Sequence, residues 1–344
     1  MSVATAPAPS GRSPYLTAAG WRRLFRDRPI IPLIVLLAIL VLLYELVRPG
    51  QISPNWAGVI VRTAIPLAIL AGCQVLTMLT GGIDLSVGSV ASMSGFLVAS
   101  LVGDYGLWPS VAVALLIATS AGLITGLGVG VFRVHPLIMS LGMGLVVFGF
   151  ANAWQLIRVQ SGGGVPPEFR WIGSAPLTFS IGGGDINLLP PIPASLLVFV
   201  PLAAIILFAL RRTGYGRLLY AIGDNPIAVR LSGARSWQVL LVLYAISAFL
   251  AAIAGFLLSG GVNVASVTLA DSYVLPSVAA AVIGGTSIMG GRGGYGGAMV
   301  GALILTVISA LLSALGFPEA VRQVLFGAII VIVAAAYTRV TGEG

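Results

Sequence analysis

The chain has 344 residues, of which 58% are hydrophobic and only 8% charged, and its formal net charge of +8 comes from 18 arginines and no lysine. A water-soluble domain carries roughly 25% charged residues, so this composition excludes an ordinary soluble fold and makes lipid the solvent for most of the chain. The arginines sit in a few clusters, which argues against a nucleic-acid-binding face and for orientation against anionic lipid headgroups.

Residues 1–29 form a tail rich in Ala, Pro and Ser that ends on Arg22, Arg23, Arg26 and Arg28. The apolar run Ile30 to Val47 follows and is closed by Arg48-Pro49-Gly50, not by a small-residue cleavage site. It is a signal anchor with a cytoplasmic tail. A membrane-crossing helix needs about 20 mainly apolar residues. Further candidates run from Trp56 to Leu79, Leu85 to Val102, Trp108 to Phe132 and Pro136 to Ile157. A stretch rich in Gly and Pro, Arg158 to Pro193, separates these from Ala194 to Leu210. An Arg-rich cytoplasmic loop, 211–238, precedes Val239 to Ser259, Leu275 to Met289, Gly294 to Leu315 and Glu319 to Tyr337. The pattern predicts an all-α bundle of about ten transmembrane helices over 30–338, with a C-terminal tail at 339–344.

Arginine placement orients the bundle. With both termini inside, thirteen arginines lie on the cytoplasmic side and only Arg48, Arg158 and Arg170 outside, while Arg62 and Arg322 sit near outer helix ends. Cytoplasmic loops carry the excess of positive charge. Small residues recur every fourth position at Gly122, Gly126 and Gly130, at Gly293, Gly297 and Gly301, and at Ser277, Ala281 and Gly285. Such stripes let helix backbones approach closely in lipid. Cys73, the only cysteine, lies in an apolar run and points to neither a disulfide nor a metal site.

Three segments stand out. In the loop after the sixth span, Asp224 or Asn225 suits a helix N-cap, Pro226 the first helical position and Gly233 the left-handed position past the end. They specify a short cytoplasmic helix from Pro226 to Ser232, carrying Arg230, that either docks a partner or lies on headgroups. Where the second and third spans meet, Asp84 of Gly81-Gly82-Ile83-Asp84-Leu85-Ser86 is an acid at membrane depth. It caps the following helix, or serves gating or solute contact together with Ser86. The third segment, Val282 to Gly294, is so rich in glycine that a bent or interrupted helix is expected around Gly284, Gly285 and Thr286, and such breaks are tolerated where they are buried or line a cavity. Gln74, Asn152 and Gln155 add uncharged amides within spans, suited to a hydroxylated solute or to bonds between helices.

In these three segments the chain resembles the ribose/xylose/arabinose-type permeases of bacterial ABC importers, which share a larger permease family with branched-chain amino acid and nucleoside systems. The residues that carry the resemblance are Gly81 to Gly88, Thr213 to Arg217 with Ala221 to Asn225 and Arg230 to Gly233, and Val282 to Ser287 with Met289 to Gly293. The resemblance implies a multi-pass subunit of the bacterial inner membrane that imports a small sugar. It implies a second permease subunit, identical or related, two cytoplasmic ATPase subunits and a periplasmic sugar-binding protein. Gly223, Asp224, Asn225, Pro226, Arg230 and Gly233 then belong to the coupling helix and its flanks, and Asp84, Ser86, Gln74, Asn152, Gln155, Gly284, Gly285 and Thr286 to the path. ATP and magnesium belong on the partner ATPase, because a phosphate-binding Gly-x-x-x-x-Gly-Lys-Ser/Thr loop requires a lysine. An ion-coupled secondary transporter would want more ionisable residues at mid-membrane than Asp84. An intramembrane hydrolase would want a nucleophile beside His135, and no such motif is present, so no catalytic residue is assigned.

Overall fold

The structure is a computed structural model that describes residues 30–158, 164–181, 184–187 and 192–341. The tail 1–29 and residues 342–344 lie outside the described residues, as does part of the Gly- and Pro-rich stretch. The helices are α1 (Ile30–Val47), α2 (Pro54–Met78), α3 (Val87–Tyr105), α4 (Leu107–Gly130), α5 (Pro136–Arg158) and α6 (Pro167–Ser174). They continue with α7 (Leu196–Arg212), α8 (Gly214–Asp224), α9 (Pro226–Leu231), α10 (Ser236–Val262), α11 (Val274–Ile283), α12 (Tyr295–Ala314) and α13 (Glu319–Thr341). One antiparallel ribbon pairs β1 (Thr178–Ile181) with β2 (Gly184–Asn187). Among the described residues, seven helices are long and apolar enough to cross a membrane, or eight if α7 and α8, bent by 67° at Thr213, count as one broken span.

The second helix is the central post. The Ser53 side chain accepts the Trp56 amide at 3.2 Å, Pro54 fills the first turn, and every residue from Ala64 to Met78 is buried. A helix apolar on all sides belongs inside a bundle, and α2 is flanked by α10, α11 and α12. The longest helix, α10, has 27 residues and so spans about 40 Å at 1.5 Å per residue. It packs along α4 through the predicted glycine stripe. Side chains at Gly122, Gly126 and Gly130 would run into the backbone of Tyr244, Leu241 and Trp237 respectively. A second stripe works the same way, because Gly297 and Gly301 of α12 lie against the backbone of Gly284 and Ala280. In contrast, α1 buries none of its residues.

The contacts sort the helix ends into two faces. At the rim, Arg48 donates to the Ala314 carbonyl at 3.0 Å, Arg62 donates to the Ser174 carbonyl at 2.6 Å, and Arg158 pairs with Asp104. At the base, the end of α2, the starts of α5 and α10, and the short helices α8 and α9 converge.

Two expectations are corrected. The eighth predicted span, Leu275 to Met289, is a ten-residue helix, α11, followed by a glycine loop. Ten residues extend about 15 Å, half the hydrocarbon thickness. The helix stops because Gly284 and Gly285 follow it, with Gly285 at φ +88°. The loop 211–238 also holds a second helix besides the short one expected from Pro226 to Ser232. It is α8, which buries Gly216, Leu219 and Ile222 at helical spacing and is capped by the Thr213 hydroxyl accepting the Gly216 amide at 3.1 Å.

Candidate functional site: the base junction and the polar turn

The short helix α9 forms as its sequence specifies. Asn225, not Asp224, is the N-cap, and its side-chain oxygen accepts the Ile227 and Ala228 amides at 3.1 and 2.9 Å. Pro226 opens the helix, and Gly233, at φ +82°, follows its end. Val229 is buried and anchors the helix, whereas Ile227 and Leu231 are 62% and 84% exposed. Arg230 and Asp224 are also exposed. The helix therefore presents an apolar pair with a neighbouring cation on its outer side.

Gly223 has a different position. It ends α8 inside the base, where a side chain would collide with the Leu79 carbonyl and the Gly291 amide. Gly290 would in turn meet the backbones of Gly223 and Gly81 at 2.9 Å. The Gly291 amide donates to the Leu79 carbonyl at 3.0 Å, and the Tyr220 hydroxyl donates to the Gly293 carbonyl at 3.0 Å. Partial burial pushes the Tyr220 phenol up, opposed by the Arg211 guanidinium, so this group stays a protonated donor at neutral pH. The three segments that stood out in the sequence thus meet at one backbone junction, made by Gly81, Gly223 and Gly290.

Asp84 lies just above this junction and is 2% exposed. One carboxyl oxygen accepts the Ser86 amide at 3.0 Å and the Ser86 hydroxyl at 2.6 Å, and the other accepts the Ser247 hydroxyl at 2.9 Å. Asp84 is therefore not the N-cap of α3, because Ser86 holds that position. It closes a tight turn and ties it to α10. Gln74 completes the clasp. Its amide nitrogen donates to the Asp84 carbonyl at 2.7 Å and to the Ser277 hydroxyl at 3.3 Å, and its oxygen accepts the Asp84 amide at 3.3 Å. The Ser140 hydroxyl accepts the Leu85 amide at 3.1 Å, joining α5. One polar turn is thus bonded to α2, α5 and α10, and through Gln74 to α11, and each buried polar atom of Asp84 is matched, as low dielectric demands.

Gln74, Asp84 and Ser86 are brought together as a unit. Gly284, Gly285 and Thr286 lie on the break after α11, with Thr286 buried and its hydroxyl without a partner among the described residues. Asn152 and Gln155 stand apart on α5. Asn152 donates to the Phe148 carbonyl of its own helix at 2.8 Å. Sequence reasoning missed Ser140, Ser247 and Tyr220, and gave Ser277 only a packing role. Serines within apolar helices are the signal that could have marked the three serines, since a hydroxyl buried in a membrane helix needs a bond.

Comparison with known proteins agrees with this architecture. Residues 57–334 match the family described as branched-chain amino acid transport system, permease component. The chain is 33% identical over 331 residues to a ribose import permease of Escherichia coli strain K12, covering 94% of this chain and 96% of that protein. It is 31% identical over 310 residues to a fructose import permease of Rhizobium meliloti, covering 89% and 84%. A ribose import permease of Bacillus subtilis is 33% identical over 300 residues, covering 86% and 88%. No solved structure matches the chain. The chain belongs to the permease-component family of branched-chain amino acid transport systems, and relatives it resembles along most of its length are import permeases for ribose and fructose.

Proposed function

We propose that this chain is the membrane-spanning permease subunit of an ATP-driven importer of the bacterial inner membrane, carrying a pentose or hexose delivered by a periplasmic binding protein. The ribose and fructose permeases among its relatives support the solute class. In this reading the chain has no catalytic role. Two cytoplasmic ATPase subunits hold ATP and magnesium, and a second permease copy, identical or related, completes the path. Both termini are cytoplasmic. The transmembrane unit is 30–338, with tails on either side and the coupling region at 211–238. Ten crossings follow if α7 with α8, the segment 264–291 and α13 each count as one crossing beside the seven. Ordered contacts along 264–291 support that count. The Ala270 amide meets the Ser92 hydroxyl at 2.8 Å and Ser277 meets Gln74, and in the loop that follows α11 the Gly291 amide meets the Leu79 carbonyl at the base.

The observation that carries this reading is the position of α9. Its outer face exposes Ile227 and Leu231, its inner face is fixed by Val229, and Gly223 and Asp224 connect it to the glycine junction. An ATPase groove closing on Ile227, Leu231 and Arg230 would push α9 against that junction. From there the push reaches α2 through Leu79 and α11 through the loop at Gly290. Packed elements move as discrete bodies, so α11 and the clasped turn at Asp84 would shift together and open or close the path. Asn152 and Gln155, on the sparsely covered α5, would face that path between the two copies.

The test is reconstitution of the permease with its ATPase and binding protein in lipid vesicles. Changing Ile227→Asp together with Leu231→Asp should abolish both ATPase association and sugar uptake while leaving the thermal stability of the permease unchanged. Uptake that continues in this variant would reject the coupling role. Uptake of leucine, and not of sugars, would favour the solute class that the family description names, and uptake of a nucleoside would favour the nucleoside systems the chain also resembles.

A further inference from the structure

The rim end of α11 borders a cleft of about 360 Å³ between α2, α12 and α13, within the roughly 300–1,000 Å³ usual for small-molecule sites. Hydroxyl groups from three of these elements line it: Thr63 of α2, Ser272 and Tyr273 at the head of α11, and Thr306, Ser309 and Ser313 of α12. Glu319 and Arg322 form one wall and pair with each other. Leu67 and Phe326 add apolar surface.

We infer that this cleft is where the translocated solute contacts the chain, and that it accepts a neutral, polyhydroxylated molecule the size of a monosaccharide. The inference rests on the importer reading and deepens it by naming residues and chemistry. Two features carry it. First, the hydroxyls of Thr63, Thr306 and Ser313 each donate to a carbonyl of their own helix, at 2.8–3.1 Å. Their lone pairs remain free to accept, which suits the many O–H donors of a sugar. Second, the only charged lining residues are the mutually paired Glu319 and Arg322. A zwitterionic amino acid would need an independent cation for its carboxylate and an independent anion for its ammonium. A sugar needs neither, and it can hydrogen-bond to the outer edges of the pair. Ser272, Tyr273 and Pro276 place the cleft at one end of α11, and Gly284 to Gly291 place the base junction at the other. One short rigid helix thus connects the solute to the coupling face.

Cysteine accessibility tests the cleft without depending on transport. Cys73 is fully buried, so Thr306→Cys or Ser309→Cys introduces the only reactive thiol among the described residues. The full-length protein in lipid nanodiscs, with and without its ATPase, is labelled with a small hydrophilic thiol reagent in the presence of ribose, fructose or leucine. Both variants should label. A protecting sugar at twice its dissociation constant should slow labelling roughly threefold, because only the unoccupied fraction reacts. Trp108→Cys, an exposed rim position outside the cleft, should label at one rate throughout. Thiols that do not react, or that react equally fast with and without either sugar, would overturn the cleft as the solute site. Protection by leucine but not by sugars would overturn the solute class. Protection by a sugar in a protein whose uptake ignores ATP would uphold the cleft and reject the importer reading, so the two can fail separately.

Discussion

The base and the rim of this bundle are built on opposite principles. At the base, Gly81, Gly223 and Gly290 bring three chain segments together backbone to backbone, with no space for a side chain. At the rim, α2, α11, α12 and α13 leave a cleft lined by hydroxyls. Close backbone contact transmits displacement, because nothing between the elements can yield. A loosely filled polar cleft can accommodate a solute and release it. The two regions differ in what a substitution should do, and that difference can be broken or sharpened by mutation.

The largest effect is expected at the base. Gly223→Val forces a branched side chain into the Leu79 carbonyl. Overpacking costs about 1–3 kcal/mol and occasionally more, and here backbone atoms cannot rotate away. The variant should fail to accumulate in the membrane or melt well below the parent. A normal melting temperature would show that the junction yields. Next is Asp84→Ala, which strands the Ser86 amide and the Ser86 and Ser247 hydroxyls. Each stranded buried group costs about 1–3 kcal/mol, so a loss of at least about 3 kcal/mol is expected in denaturant titrations, against a much smaller loss for Asp84→Asn. Asn225→Ala removes the cap of α9 at about 1 kcal/mol. It should lower stimulated ATPase activity more than thermal stability. The smallest effect is expected away from both regions. Asn152→Leu loses one bond within its own helix, worth about 1 kcal/mol or less, and should reduce uptake only a few fold.

How much of this was legible in the sequence depended on how local the cause was. The short helix α9 was readable because Asn225, Pro226 and Gly233 act within a few residues of one another. The glycine stripes were readable because their spacing is helical. The break after Ile283 is visible in the glycines, yet apolar residues on both sides of it make the span read on to Met289. The helix α8 was obscured because arginines and glycines flank its buried face at Leu219 and Ile222. The cleft was not readable in advance. Thr306, Ser309 and Ser313 do share one face of α12, at helical spacing, but their meeting with Ser272 and Tyr273 depends on how α11 and α12 pack. The convergence of Gly81, Gly223 and Gly290 is likewise a tertiary fact. The sequence marked each block but not their contact, so the packing of Gly223 against Leu79 and Gly291 was not readable from it.

The central claim is that force enters this chain through α9. The most direct measurement is ATP hydrolysis by the reconstituted complex in vesicles, with and without sugar-loaded binding protein, for the parent and for the Ile227→Asp, Leu231→Asp variant. The parent rate should rise when the loaded binding protein is added. The variant, equally stable and equally abundant, should hold no ATPase and show no rise above the rate of the free ATPase. A full rise in the variant would contradict the account.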